Sequence, residues 1–343
     1  QRGIRHVRVT AAELELDLVD QLGSDRCIAL GLVPWRRASG RVIVAVSRPE
    51  RFPFARAELE SVFGPVGMAI ADGAEIQAAI VARRAGWLAE RAETRPAPQL
   101  SARGWKQRDL ARAMALLTLL FAAAIAAAPV AALTALLLAA SAALAAMSAL
   151  KLAALIAARR PAQPRTAGAS PERMPTISVL VPLLSEADIT ASLIGHLEAN
   201  DYPVESLDIL IVTEADDLGT GAALEREILP PNFRRVSVPQ GRIRTKPRAL
   251  NYALDFAVGD IIGVWDAEDA PAPDQLRAVA AAFATAPPDV VCLQGRLDFY
   301  NSGQNWLSRC FALDYAGWFR VVLPGLARMG FAIPLGGTTV FLR

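Results

Sequence analysis

The sequence predicts an α/β protein: a small N-terminal α/β domain, a two-helix transmembrane hairpin, and a larger C-terminal α/β domain built on a mostly parallel sheet. Three observations carry this. Two separate regions alternate strand-like and helix-like patterns, the second with strands of the fully buried kind. Between them, Ala113 to Leu150 runs without a charge or a glycine. The domains expected are 1–92, 113–155 and 176–343, with a basic linker at 93–112 and a Pro/Arg-rich linker at 156–175.

Bulk composition narrows the partners. The 343 residues hold 36 basic and 34 acidic side chains, so net charge leaves no nucleic-acid footprint. A hydrophobic fraction of 53% is high for a soluble chain and fits a membrane segment. Cys27, Cys292 and Cys310 are far apart, and only His6 and His196 accompany them, which argues against a Cys/His zinc site. Free thiols suit a cytoplasmic setting. The first residues are polar and charged, unlike a secretory signal, and the chain opens on Gln rather than Met, as a piece of a longer protein would.

In the first region, "RVIVAVS" (41–47) alternates like a strand, "RAELESVFG" (56–64) reads as a helix stopped by Gly64, and "GAEIQAAIVARRAGWLAERA" (73–92) as a longer helix. "ALGLVPWRRASGRVIVAV", a proline-bearing loop and "GPVGMAIADGAEIQAAI" resemble the N-terminal domain of type II secretion and pilus-assembly ATPases, over about residues 10 to 92. Some relatives of that domain bind cyclic di-GMP through paired Arg-Leu-Gly-type motifs; here "QLGSDR" (Gln21–Arg26) is the fragment present. The resemblance thus implies either an adaptor domain, docking a partner protein, or a cyclic di-GMP site.

The linker that follows carries Arg103, Lys106, Arg108 and Arg112. The apolar stretch after it is too long for one span of about 20 residues and suits two short ones, with Pro129 at the turn. Lys151, Arg159, Arg160 and Arg165 mark the far end. Positive charge at both outer ends and none in the turn puts both ends in the cytoplasm, as for a bacterial inner-membrane protein. A buried helical hairpin of a soluble protein would keep a polar face, which this one lacks.

From residue 176 the elements alternate: strand "TISVLVPLL" (176–184), helix 187–200, strand "LDILIVTEADD" (207–217), helix "KPRALNYALDFAV" (246–258), strand "DIIGVWDAED" (260–269), helix 274–285 and strand "DVVCLQGRLDFYN" (289–301). Ligands of such sheets bind beyond the carboxyl ends of the strands. Two acidic clusters fall there, Glu214/Asp216/Asp217 and Asp266/Glu268/Asp269. They would repel unless a cation joined them, and carboxylates without His or Cys suit Mg²⁺ or Mn²⁺ shared with a diphosphate. "GRIRTKPR" (241–248) supplies four cations suited to phosphate. "NWLSRCFALDYAGWFR" (305–320) reads as an amphipathic helix and "PLGGTTVFLR" (334–343) as the start of a strand.

"ISVLVPLLSE", "LDILIVTEADD", "TKPRALNYAL", "VGDIIGVWDAED" and "VCLQGRLDFYN", in that order, resemble a family 2 glycosyltransferase of the GT-A (Rossmann-like) fold, closest to the cellulose-synthase-like membrane branch, over Pro175 to Arg343. The resemblance implies transfer of a sugar from a nucleotide donor, typically a UDP-sugar, to a hydroxyl of a glycan with inversion. It assigns Pro182 and Glu186 to the base, Asp216 or Asp217 to the nucleoside, and Lys246 and Asn251 to the phosphates and sugar. Asp266 becomes the first metal acid, with Glu268 or Asp269 the second, and Gln294 lies near the donor or acceptor sugar. Ser185 stands where Asn is usual. The family's general base and its Gln-x-x-Arg-Trp motif are expected after Arg343. Two other classes compete: a catalytically inactive nucleotide-sugar-binding or cyclic-di-GMP-responsive membrane regulator, and a nucleotidyltransferase, whose Gly-rich loop is missing near the first strand.

Overall fold

A computed structural model describes residues 6–101, 107–159, 173–299 and 301–343. Arg103, Lys106, Arg160 and Arg165 of the flanking charge clusters lie outside the described residues. The chain divides into two compact units: one is Gln1–Arg95, Ser170–Leu293 and Val340–Arg343, the other Pro96–Ala169 and Gln294–Thr339.

The first unit opens with α1 (Leu16–Leu22) and α2 (Ser24–Leu30), then β1 (Leu32–Ala38), β2 (Arg41–Val46), α3 (Phe52–Phe63), β3 (Val66–Ile70) and α4 (Gly73–Thr94). β1 and β2 pair antiparallel across Ser39 and Gly40, both with positive φ (52° and 74°), the backbone a tight hairpin needs. β3 returns parallel to β2 after the α3 crossover. Asp72 caps α4, its carboxylate accepting from the N–H groups of Ala74 and Glu75. The sheet's two faces bury different side chains. Val42, Val44 and Val46 pack with Phe52 and Leu59, whereas Val33, Trp35 and Ala45 pack with Ile76 and Ile80.

Two long helices of the second unit follow, α5 (Gln107–Ala127) and α6 (Pro129–Ala158). The first unit then resumes with β4 (Ile177–Leu183), α7 (Thr190–Glu198), β5 (Leu207–Glu214), α8 (Leu218–Arg226), β6 (Phe233–Val238), α9 (Lys246–Ala253), β7 (Ile261–Val264), α10 (Gln275–Thr285), β8 (Cys292–Gln294, its last residue already in the second unit) and β9 (Val340–Leu342). The six strands lie in the order β6-β5-β4-β7-β9-β8. β6, β5, β4 and β7 are parallel, and β9 joins β7 antiparallel. All eight residues of β5 are buried, as a strand covered on both faces requires. Alternation sorts them: Ile177, Val179, Val181, Ile209 and Ile211 face α7 and α10, while Leu180, Leu210, Val212, Val236 and Val238 share a core with α9. That second core runs on without a break into Ile76, Ile80, Leu88 and Ala92 of α4.

Several elements differ from expectation. The helix expected over 246–258 stops at Ala253, and the strand over 260–269 stops at Val264. Residues 266–269 instead form a turn, the Asp269 N–H donating to the Asp266 carbonyl at 3.1 Å. The strand over 289–301 shortens to Cys292–Gln294. α8 and β6 have no counterpart in the pattern: "LGTGAALER" carries two glycines and "FRRVSV" two arginines, so local propensity is poor. Parallel pairing with β5 and burial of Phe233, Val236 and Val238 make β6 a strand nonetheless.

In the second unit, α5 and α6 break at Ala128, directly before Pro129 at the first turn of α6. Both helices are long and apolar enough to cross a membrane, and their most apolar windows have no buried residues. α11 (Trp306–Gly317) runs through a π-helical turn at Trp318–Val322 into α12 (Leu323–Arg328). α12 packs on α6 with Gly325 against the Ala154 backbone, where a Cβ would not fit. The Arg328 guanidinium donates to the Ala157 and Ala158 carbonyls at the end of α6.

Candidate active site

Parallel strands bring their carboxyl ends to one edge of the sheet, and there the first unit has a cleft of ≈ 220 Å³. Pro182, Glu186, Glu214, Lys246, Asp266 and Glu268 line it. Five of these six are expected site residues; Glu214 is the addition.

Asp266 follows β7 by two residues and is held in place from behind. Trp265 is fully buried, its indole N–H donating to Gln275 Oε1 at 3.0 Å and its ring meeting Phe341 edge-on at 6.3 Å. The next side chain therefore points out of the core into the cleft. There the Asp266 carboxylate pairs with the Lys246 ammonium. Asp269 does something else: its Oδ2 accepts the Asp266 backbone N–H at 2.8 Å and closes the turn. Glu268 lines the cleft and is exposed.

The strand β5 ends in three acids with three environments. Glu214 is buried and paired with the Arg248 guanidinium at 3.0 Å. Burial pushes its carboxyl above the ordinary value, further than Arg248 pulls it down. Asp216 is exposed and meets Arg244 at 3.4 Å. Asp217 caps α8 through Thr220 N–H at 3.2 Å and accepts the Ser185 N–H at 2.6 Å. Burial opposes its ionisation, but those N–H groups outweigh it and hold the carboxyl below the ordinary value. Ser185 itself sits at φ 60° beside Pro182 and Glu186.

The remaining expected residues lie elsewhere. Asn251 turns away from the strand ends, its amide donating to the Ala92 carbonyl of α4 at 3.0 Å. Gln294 belongs to the second unit, where its amide accepts the Gly336 N–H at 2.8 Å and donates to Thr338 O at 3.1 Å, fastening that segment. Sequence reasoning set Glu214 in the acidic cluster and Arg248 in the basic loop but missed that the two form a buried pair. Their signal is positional: Glu214 is the last residue of a fully buried strand, and Arg248 sits on the buried face of α9.

Asp266 and Glu268 offer oxygen alone, the donor set of a hard divalent ion. Among the described residues no three His, Cys, Asp or Glu side chains gather as a complete cage. The residues fit an ion held partly by protein and partly by a bound diphosphate.

Residues 178–333 match the family model described as Glycosyl transferase family 2, and residues 2–86 match the MshEN domain. Beta-monoglucosyldiacylglycerol synthase of Synechocystis is 29% identical over 170 residues, covering 48% of this chain and 35% of its own. The chain thus spans about a third of that relative's length. A mannosyltransferase from Pyrobaculum calidifontis, solved with GDP-Man and Mn²⁺, is 29% identical over 46% of this chain and 48% of its own, with TM-score 0.37. TarS of S. aureus, solved with UDP-GlcNAc, is 21% identical over 32% of this chain and 31% of its own, with TM-score 0.26.

Proposed function

Because the chain carries a family 2 glycosyltransferase domain behind an MshEN domain, we propose that it is a membrane-anchored inverting glycosyltransferase. It takes a sugar from a nucleoside diphosphate donor, UDP first, and delivers it to a hydroxyl of a cell-surface or exported polysaccharide. One observation carries the reading: Asp266, Glu268 and Lys246 meet in a single cleft at the ends of parallel strands.

The chemistry follows from charge. Breaking the bond to the anomeric carbon leaves its electron pair on the phosphate oxygen, so one further negative charge grows on the diphosphate. Lys246 presents a point charge to those phosphates, and Arg244 directly precedes Thr245 of the cleft wall on the same loop. Asp266 and Glu268 would hold Mg²⁺ or Mn²⁺, which when bound neutralises the leaving diphosphate. Lys246 now occupies the Asp266 carboxylate, so ion binding would free its ammonium for phosphate. Pro182 and Glu186 flank the end where a base would lie, and we assign the nucleoside contact to Asp216, since Asp217 is engaged with Ser185 and Thr220. The apolar helices α5 and α6 support membrane anchoring.

Titration calorimetry of UDP with Mn²⁺ tests the reading. Asp266→Asn is expected to weaken binding at least about tenfold, the scale of one charged interaction. Metal-independent binding untouched by that substitution would remove the metal assignment. A lipid acceptor is a second reading, supported by the exposed apolar side chains Trp306, Phe311 and Leu313 of α11 and by the glycolipid activity for which the Synechocystis relative is named. Product analysis with glycan against diacylglycerol acceptors separates the two.

A further inference from the structure

We propose that Glu93, at the end of α4, is a positioning residue for the donor cleft, by which the N-terminal part of the chain governs nucleotide affinity. The inference rests on the donor-site reading above. Glu93 lies outside the residues matched by the MshEN model and outside the expected site. It is a charged side chain 7% exposed, and its contacts include Arg242, Ile243 and Arg248 of the other part of the first unit.

Its carboxylate does two things there. Glu93 Oε1 accepts the backbone N–H of Arg242 at 2.7 Å, with the Ile243 N–H at 3.5 Å, while Oε2 meets the Arg242 guanidinium at 3.3 Å. This fixes the start of the loop whose next residues are Arg244, Thr245 and Lys246. Oε1 also faces Arg248 Nε at 3.4 Å, and Arg248 passes the contact on to Glu214 in the cleft wall and to the Pro239 carbonyl. One carboxylate thus sets both walls: the basic loop by its backbone, and Glu214 through a buried guanidinium. Gly241 completes the seat, because a Cβ there would collide with the Glu93 carboxylate and Arg248.

Elsewhere at the junction the reach is weaker: Glu90 only meets the exposed Arg242 guanidinium, at 4.0 Å. Asp255 is as buried as Glu93 and pairs with Arg91 at 2.6 Å and Arg95 at 2.7 Å, yet neither arginine touches the loop or the cleft. Asp255 supports docking of α4 on α9; Glu93 shapes what docking presents to the nucleotide. The consequence is a route for regulation. Any ligand or partner that shifts the end of α4 would change affinity for the donor without entering the cleft.

Three chains decide it: the unsubstituted protein, Glu93→Gln and Asp255→Asn, each measured for thermal midpoint, amide exchange and affinity for UDP with Mn²⁺. Glu93→Gln is expected to weaken UDP binding about tenfold, the scale of a lost charged hydrogen bond, and to speed amide exchange at Arg242 and Ile243. Asp255→Asn is expected to lower the midpoint and leave UDP affinity within about twofold, since it breaks pairs outside the cleft. Equal UDP affinities for Glu93→Gln and the unsubstituted chain, or equal losses in both variants, overturn the proposal. If Glu93→Gln does not fold, Gly241→Ala replaces it, with the same loss expected and an unchanged affinity overturning. Failure of the unsubstituted chain to bind UDP or GDP overturns the donor-site reading itself, a different result from any of these.

Discussion

At the scale of single residues, neighbouring acids of like sequence have unlike duties. Asp216 and Asp217 read alike, as do Glu268 and Asp269, because sequence carries no information on which carboxylate a backbone N–H will claim. Asp217 and Asp269 are taken up by turns, whereas Asp216 meets Arg244 and Glu268 stands exposed in the cleft lining. Asp217→Ala removes a helix cap and a loop tie together, so a loss of about 1–2 kcal/mol is expected, read as a lower midpoint in urea. Acid should act on the same contacts. The native carboxyls of Asp217 and Glu93 titrate below the ordinary values of 3.8 and 4.5, so their stabilisation is complete above those values. It is lost as pH falls through the lowered native values, and urea midpoints measured from pH 6 down to pH 3 should fall more steeply in the unsubstituted chain than in Asp217→Ala.

Among elements, the buried strands β4, β5 and β7 were legible because their apolar runs admit no other reading, and their order put acids at one edge. Boundaries were less legible, since tertiary contacts set them. α9 ends at Ala253 although "LDFAV" continues a helical period, and β7 ends at Val264 although the apolar pattern reaches Trp265. Gly263 explains part of β7. A Cβ there would stand 2.7 Å from the buried Phe341 ring of β9. Gly263→Ala should therefore cost about 1–3 kcal/mol by overpacking, measurable by denaturant unfolding, and should loosen the Trp265–Phe341 contact behind Asp266. The junction of α4 with α9 was not legible at all. Glu93, Arg91 and Asp255 look like ordinary charges on solvated helices until packing buries them.

For the whole molecule, the two long apolar helices make a prediction independent of the cleft. If α5 and α6 lie in a bilayer, the full chain should sediment with membranes after alkaline carbonate washing, and deletion of residues 107–158 should release it. Recovery of the unaltered chain in the wash would contradict anchoring. The first unit also has a kinetic consequence. Its core joins residues before Arg95 to residues after Ser170, with the apolar helices between them in the chain. During synthesis, α4 leaves the ribosome with Leu88 and Ala92 bare and its covering strands not yet made. Closure of a core with such distant partners is slow and exposed to aggregation. The time taken to synthesise α5, α6 and the strands after them therefore sets how long a sticky intermediate persists, and holding chaperones and translation speed become determinants of yield.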